Sequence, residues 1–523
     1  MNATRFTALP RQLVLGALAG LVTLLASCGG GGPDAGTPPF GNVNGSGGGG
    51  SGQAASSTLA QRCAPDNPLA SAANRSGSLD VERRWVRAYM DEAYLWYREI
   101  PSVDATRAEF NLADVPASLD NYFDALRTPA LTASGKRKDQ FSFTYPTAQW
   151  NALSQSGIVA GFGAEWVLGS VTPPRNIRIA YVDPGTPAAA ALLARGLTLV
   201  SVDGVSADDN TAAGIDKLNE AIFSPTSGRS YSFVLRDGAG VDRTAQMTAT
   251  QVTKTPVQNQ QTIDTASGRV AYFTFNDHIG PAEGQLVAAF DQIRQQVNVS
   301  DLVLDLRYNG GGFLYIASQV GYMIAGEART SGRTFERLQF NDKRSAETND
   351  PANATPFFDT TSGFAGSGTT ANAPLPQLNL DRVFVLAGPG TCSASESIVN
   401  ALRGIDVQVV LIGSTTCGKP YGFTAKDNCG ISYFPIEFQG VNDRGFGDYA
   451  DGFTPTCSVA DDFSRSLGDP AEGMLAAALA YRTTGACPTA SGRESPLSRG
   501  FAVERVLRTP AREGKVLRPA TPR

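Results

Sequence analysis

Residues 383–420 read VFVLAGPGTCSASESIVNALRGIDVQVVLIGSTTCGKP. Val383 to Ala387 is a short apolar run of the kind that fills a strand buried on both faces, and Val407 to Ile412 is a second. Between them, Gly388-Pro389-Gly390-Thr391-Cys392-Ser393-Ala394-Ser395-Glu396 forms a glycine-bearing turn that opens a helix expected over Ser397 to Arg403. The second run ends in Gly413-Ser414-Thr415-Thr416-Cys417-Gly418-Lys419-Pro420. Both polar segments follow strand ends, which is where open α/β sheets hold their ligands.

The same pattern recurs upstream. Val303-Leu304-Asp305-Leu306-Arg307 reads as a buried strand, followed by Tyr308-Asn309-Gly310-Gly311-Gly312 and an apolar helix from Phe313 to Ala325. A serine at a strand-to-helix turn can project its hydroxyl beside outward-pointing N–H groups, a geometry that suits a nucleophile with an oxyanion hole. The hydroxyl needs a base. The chain has one histidine, His278, in Asn276-Asp277-His278, with no evident partner pattern, so Lys419 is the better candidate. A lysine base must be desolvated enough to lower its pKa from about 10.4 toward working pH. Taken singly, Ser393 reads as a helix N-cap and Lys419 as a loop lysine.

Between 157 and 252 the pattern changes to short strands at Ile177 to Val182, Leu197 to Val202, Tyr231 to Leu235 and Ala245 to Ala249. Asp183-Pro184-Gly185-Thr186-Pro187 is a turn, and Ala188 to Leu193 a short helix. This order resembles a PDZ domain of the circularly permuted bacterial protease type. Gly161, Phe162, Gly163 and Ala164 stand where such domains place the loop that gathers N–H groups around a peptide carboxylate. Gly196-Leu197 departs from the Gly-Asp usual after the helix in that family. Further upstream, Trp85, Val86, Tyr89, Met90, Ala93, Tyr94 and Trp96 follow a helical period that Pro101 should stop.

The ends read differently. Arg5 and Arg11 precede an apolar run from Leu13 to Leu25, too short to span a bilayer comfortably, and the order reads as a signal peptide. Leu25-Ala26-Ser27-Cys28 resembles the bacterial lipobox, which makes Cys28 a lipidation site. Gly29 follows where Asp would mark inner-membrane retention, so the expectation is an outer-membrane anchor facing the periplasm of the bacterial cell envelope. Residues 29–53 are a glycine-rich tether with a reach of about 25 to 30 Å. Residues 488–523 read as a disordered basic tail. A net charge of −5 argues against a chain-wide nucleic-acid surface, and no cysteine spacing is a zinc pattern.

The ordered combination resembles peptidase family S41, the C-terminal processing or tail-specific proteases, over roughly residues 80–480. The residues that carry it are Asp139-Gln140-Phe141-Ser142, the 157–252 segment, Asp305-Leu306-Arg307 with Asn309 to Gly312, Ser393-Ala394-Ser395-Glu396, and Gly418-Lys419. The resemblance implies an α/β multidomain protein. Its parts would be a helical N-terminal region (54–156), an inserted PDZ-like β-domain (157–252) and a crotonase-like or ClpP-like α/β protease core (253–487). It also implies Ser393 as nucleophile, Lys419 as base, and the N–H of Ala394 with that of Gly311 or Gly312 as oxyanion hole. Ser395 and Glu396 match the motif without an assigned role. Where some members carry a third polar residue, this chain has Phe423 and Gly404, which leaves Asp406 and Glu396 as candidate orienters.

The implied substrates are unfolded proteins or peptides with apolar C-termini, with no metal, cofactor or nucleic acid. The alternative is a catalytically inactive PDZ scaffold that holds protein C-termini. Ser-x-x-Lys and Gly-x-Ser-x-Gly signatures are both absent around Ser393, which sets aside the serine β-lactamase and α/β-hydrolase readings. Six cysteines besides Cys28 favour disulfides in an exported protein. The expected pairs are Cys392 with Cys417, whose neighbours share the chemistry, then Cys429 with Cys457 and Cys63 with Cys487.

Overall fold

A computed structural model of the chain describes residues 54–488 and the backbone of residues 505–507. The expected leader, Cys28 and the glycine-rich tether lie outside the described residues.

The N-terminal part is helical. Helix α1 (Leu79–Ala93) starts where the Ser78 side chain accepts the Val81 N–H, and α2 (Val115–Ala125) starts at Asp114, which accepts from Ala117. Helix α1 ends well before Pro101. At Tyr94 the backbone turns extended, the Leu95 N–H donates to the Ile436 carbonyl, and the Tyr94 hydroxyl donates to Asp139 at 2.6 Å. Long-range pairing therefore takes the chain out of the helix before proline can. The apolar face of α1 (Trp85, Val86, Tyr89, Met90) meets Leu119 and Phe123 of α2 and also Ile431, Tyr433 and Ile436 from the far end of the chain. Strand Phe143–Pro146 pairs with Ile431–Phe434 in the same place.

The middle segment forms a β-domain. Strands β1 (Ala164–Leu168), β2 (Arg178–Val182), β3 (Thr198–Val202), β4 (Ser230–Arg236) and β5 (Asp242–Thr248) make an antiparallel sheet in the order β1-β2-β3-β4-β5. Val205–Ser206 also pairs with β3, and α3 (Ala212–Phe223) lies over the sheet. Phe162, Trp166, Leu218, Phe223 and Phe233 fill the space between helix and sheet. The opposite face of β1 and β2, through Val167, Ala180 and Tyr181, packs on Tyr308 and Leu467. Close approach explains one glycine in this interface. Gly196 has φ +87°, and a Cβ there would sit 2.4 Å from the Phe463 carbonyl oxygen.

Beside a smaller antiparallel sheet in which Thr334–Phe340 pairs with Phe438–Val441, the remaining described chain is built on a six-stranded sheet. Its strands are β6 (Val257–Thr265), β7 (Gly268–Phe275), β8 (Val299–Asp305), β9 (Arg382–Ala387), β10 (Gln408–Gly413) and β11 (Cys457–Ser458), in that spatial order. Only the β6–β7 pair is antiparallel. Helices α4 (Ala282–Arg294), α5 (Leu314–Ala325) and α6 (Ala394–Gly404) cover one face over Phe273, Leu304 and Val385. Helix α7 (Gly473–Thr484) covers the other over Tyr272, Phe384 and Val410. Two covered faces explain why the inner strands β7 to β10 carry near-continuous apolar runs, while the edge strand β6 is largely polar. Helix α6 starts directly after Ser393, three residues earlier than the sequence suggested, because the turn itself is folded into the first helical turn.

Backbone residues Arg505–Leu507 form a further strand, β12, antiparallel to β1. Residues 489–504 and 508–523 of the expected disordered tail lie outside the described residues. Cys392 pairs with Cys417 as expected, but the other partners are exchanged: Cys63 bonds Cys429, and Cys457 bonds Cys487. The cause is the docking of the N-terminal helices on residues 431–436, which carries Cys63 to Cys429 and leaves Cys457, on β11, for the cysteine just after α7.

Candidate active site

Two strand ends and the helix between them converge. Cys392 and Cys417, joined to each other, flank Ser393 on one loop and Gly418-Lys419 on the other. The Cys417 N–H donates to the Thr391 carbonyl at 3.1 Å, and the Cys392 N–H to the Asn309 carbonyl at 3.1 Å, which ties in the glycine turn as well. Ser393 has φ +55° and ψ −118°, a conformation costly for a residue with a Cβ and tolerated only where its surroundings hold it.

Glu396 is what holds it. The carboxylate is fully buried on the first turn of α6. Its Oε2 accepts the Ser393 N–H at 3.0 Å and the Lys419 N–H at 2.8 Å, and its Oε1 accepts the Gly418 N–H at 2.9 Å and the Thr416 hydroxyl at 2.5 Å. Burial raises its pKa above the ordinary carboxyl value, and these donors work the other way. Ser395 sends its hydroxyl to the Asn309 carbonyl at 2.9 Å. Thus both motif residues without a sequence-assigned role are cross-links between loops. Asp406, the other candidate orienter, is exposed and paired with Arg444 on the surface.

Lys419 is buried, with 8% of its surface exposed, and its amine stands 4.2 Å from the Phe423 ring centre and 5.2 Å from that of Phe141. Phe141 belongs to the Asp139 to Ser142 segment, so the N-terminal region supplies a wall of this site. Phe423, four residues after Lys419, gives the site an aromatic face, to which an ammonium is attracted.

The glycine turn closes the third side. A Cβ on Gly311 would come 2.8 Å from the Ser393 Cβ, which shows how closely the turn lies against the serine. Asn309 shapes it: its Oδ1 accepts the Gly311 N–H at 3.0 Å and meets His278 Nδ1 at 2.9 Å, and its Nδ2 donates to the Phe275 carbonyl at 2.9 Å. The Gly311 N–H is therefore engaged. In the bridge between His278 and the turn, His278 donates to the Gly311 carbonyl and Phe313 donates to that of His278, and the Gly312 N–H takes no part. His278 is a buried prop of the turn, its ring 4.4 Å from that of Phe275 and tilted 54° to it.

Arg307, read as part of a motif, faces away into a buried network. Its guanidinium contacts Asp305, Asp461 at 2.6 Å and Glu472 at 2.9 Å, and Asp461 also meets Arg195 of the β-domain at 2.5 Å. Burial opposes the Arg307 charge, but these carboxylates hold its pKa well above the ordinary value. Cys392, Glu396 and Cys417 bring potential metal ligands together, but the two sulfurs are bonded to each other and the carboxylate is filled with N–H and O–H donors.

Gly161 to Ala164 lie apart from the serine, on the β-domain. Gly161 pairs with Thr250, and the Phe162 ring enters the domain core against Tyr231 and Phe233. Their backbone lines a cleft with Phe223 and Lys254. Lys254 is paired with Glu165 at 2.9 Å. Burial pushes the nearby Asp183 up to about 6, although Lys254 draws it down.

Residues 268–426 match the model of Peptidase family S41, and residues 82–143 that of the Peptidase S41 N-terminal domain. An S41 protease structure from Bacteroides fragilis shares the fold, at 24% identity and a TM-score of 0.57 over 77% of this chain and 97% of that one. A photosystem II D1 C-terminal processing protease aligns at 19% identity and a TM-score of 0.43, over 76% of this chain and 99% of the other. No curated protein sequence matches the chain.

Proposed function

This chain belongs to peptidase family S41, and on that footing we propose that it is a Ser-Lys endopeptidase of the cell envelope that selects its substrates by their C-terminal tails. The observation that carries the proposal is the Glu396 carboxylate, shared by the N–H groups of Ser393 and Lys419. One buried anion fixes the nucleophile and the base to the same point, as preorganised catalysis requires.

In the proposed reaction Lys419 Nζ takes the proton from Ser393 Oγ, and Oγ attacks the substrate carbonyl carbon. The N–H groups of Ala394 and Gly312 receive the developing oxyanion, since that of Gly311 serves Asn309. The protonated amine then gives its proton to the leaving nitrogen. Water attacks the acyl-enzyme, with Lys419 again as base.

The β-domain is the tail-binding module in this reading. The edge of β1 that faces β12 would accept an extended peptide as an added strand in its place, and the Gly161 to Ala164 turn would meet its carboxylate. Three disulfides and the leader-like N-terminus support an oxidising compartment, with Cys28 as the lipid attachment site. The test is cleavage of an unfolded reporter with an apolar C-terminal tail, with Ser393→Ala and Lys419→Ala as comparisons. Loss of cleavage in both variants supports the dyad. Tail binding by a native protein that never cleaves would favour the scaffold.

A further inference from the structure

Strand β12 pairs with β1 in an antiparallel register, with Arg505 opposite Leu168, Val506 opposite Val167 and Leu507 opposite Trp166. The other edge of β1 is held by β2. The pairing therefore uses up the single edge of β1 to which a peptide could be added. Its direction is informative too: moving from Arg505 to Leu507, the chain advances from Leu168 toward Trp166, that is, toward the Gly161 to Ala164 turn. An added tail running toward a carboxylate-binding turn would have that direction. Here the strand is internal, because residues 508–523 follow it.

We infer that Arg505–Leu507 is a built-in competitor, which occupies the substrate edge of β1 and must be displaced before a tail can bind. This rests on the reading of the β-domain as the tail-binding module. Three observations support it. First, the competitor is tethered: Cys457–Cys487 fixes the end of α7 to the core sheet, and residues 488–504 bridge to β12. A tethered strand competes at an effective concentration on the order of millimolar, enough to screen out weak tails without excluding strong ones. Second, three residues make a short ladder, which suits a strand that has to leave. Third, the tail repeats itself: Arg505-Val506-Leu507-Arg508 is echoed by Lys515-Val516-Leu517-Arg518. The second copy offers the same edge a substitute strand.

The test uses the full chain with Ser393→Ala, so that binding is read without cleavage and the outcome does not depend on the dyad. Three proteins are compared: this parent, the parent with Val506→Pro and Leu507→Pro, and the latter with Val516→Pro and Leu517→Pro added. Proline removes the N–H groups a ladder needs. The probe is a fluorescein-labelled peptide of residues 503–510, followed by anisotropy. If the edge is free a tenth of the time in the parent, the fourfold-proline protein binds about tenfold more tightly, with the twofold variant between them. Amide exchange supplies the second readout: the edge amides of Trp166 to Leu168 should exchange faster in the fourfold variant without peptide. Equal affinities in all three proteins, or no peptide binding by the fourfold variant, would overturn the inference. So would unchanged exchange at β1. A failure of tail-selective proteolysis alone would count against the proposed function and leave these readouts standing.

Discussion

Glu396 accepts the backbone N–H of Lys419 at 2.8 Å through the same carboxylate oxygen that accepts the N–H of Ser393. A side chain that touches no substrate thus sets the distance between the proposed nucleophile and base. It is a positioning residue, and its contribution should appear in kcat.

Glu396→Gln keeps the shape but turns one acceptor into an NH2 group facing N–H donors. Leaving such groups unmet in a buried site costs about 1 to 3 kcal/mol each. The expected outcome is a fall in kcat of roughly 10² with KM little changed, together with a lower melting temperature. A variant with reduced melting temperature but native kcat would show that Glu396 serves stability alone.

The Cys392–Cys417 bond spans 25 residues and joins the neighbours of Ser393 and Lys419. Removing a cross-link of that length costs about 3 kcal/mol in the chain-entropy account. Cys392→Ala with Cys417→Ala should lower the unfolding free energy by that order and reduce kcat. Cys63→Ala with Cys429→Ala, remote from the dyad, should lower stability and leave kcat near native while the protein is folded. Equal effects on kcat from the two pairs would remove any special role for the first.

Gly312 has φ +133°, and a Cβ there would lie 2.4 Å from the His278 carbonyl oxygen. Gly312→Ala must therefore move the turn. Loss of one oxyanion donor typically lowers kcat by about 10² to 10³, and that is the expected loss for a reporter peptide. The matching Gly445→Ala, at a position with open space around it, controls for adding a methyl group at positive φ.

Glu336 is buried beneath Gly440 and accepts the Ser397 hydroxyl at 2.6 Å, and burial raises its pKa from 4.5 to about 7. Between those pH values the folded protein holds a proton that the unfolded chain has released. Its stabilising contribution is complete below about 4.5 and declines as pH rises through about 7. Glu336→Gln abolishes this slope. The difference in unfolding free energy between native and variant should shift by on the order of 2 to 3 kcal/mol from about pH 5 to about pH 8, in favour of the variant at the higher pH. Parallel stability curves would refute the assignment.

Short-range chemistry was legible in the sequence and long-range closure was not. Apolar runs before Ser393 and Lys419 are local signals, and both runs became parallel strands. The Cys392–Cys417 pair could be read because its neighbours had a common task. Nothing local announces that residues 431–436 complete the core of the N-terminal helices, so the ends of α1 and the partner of Cys63 were out of reach. Phe141 stood in the Asp139 to Ser142 motif and Phe423 where a third polar residue was missing, and their place beside the Lys419 amine depends on two distant segments meeting. Glu396 stood in a recognisable motif, but its function is a matter of what the loop at 416–419 donates to it.

The Cys63–Cys429 bond joins residues 366 positions apart, and Phe141 borders the Lys419 amine from the same N-terminal region. A chain synthesised N-terminus first cannot complete that region's core, or the wall beside Lys419, until residues near 436 have arrived. The aromatic surroundings of the Lys419 amine are therefore among the last features of the fold that synthesis can complete.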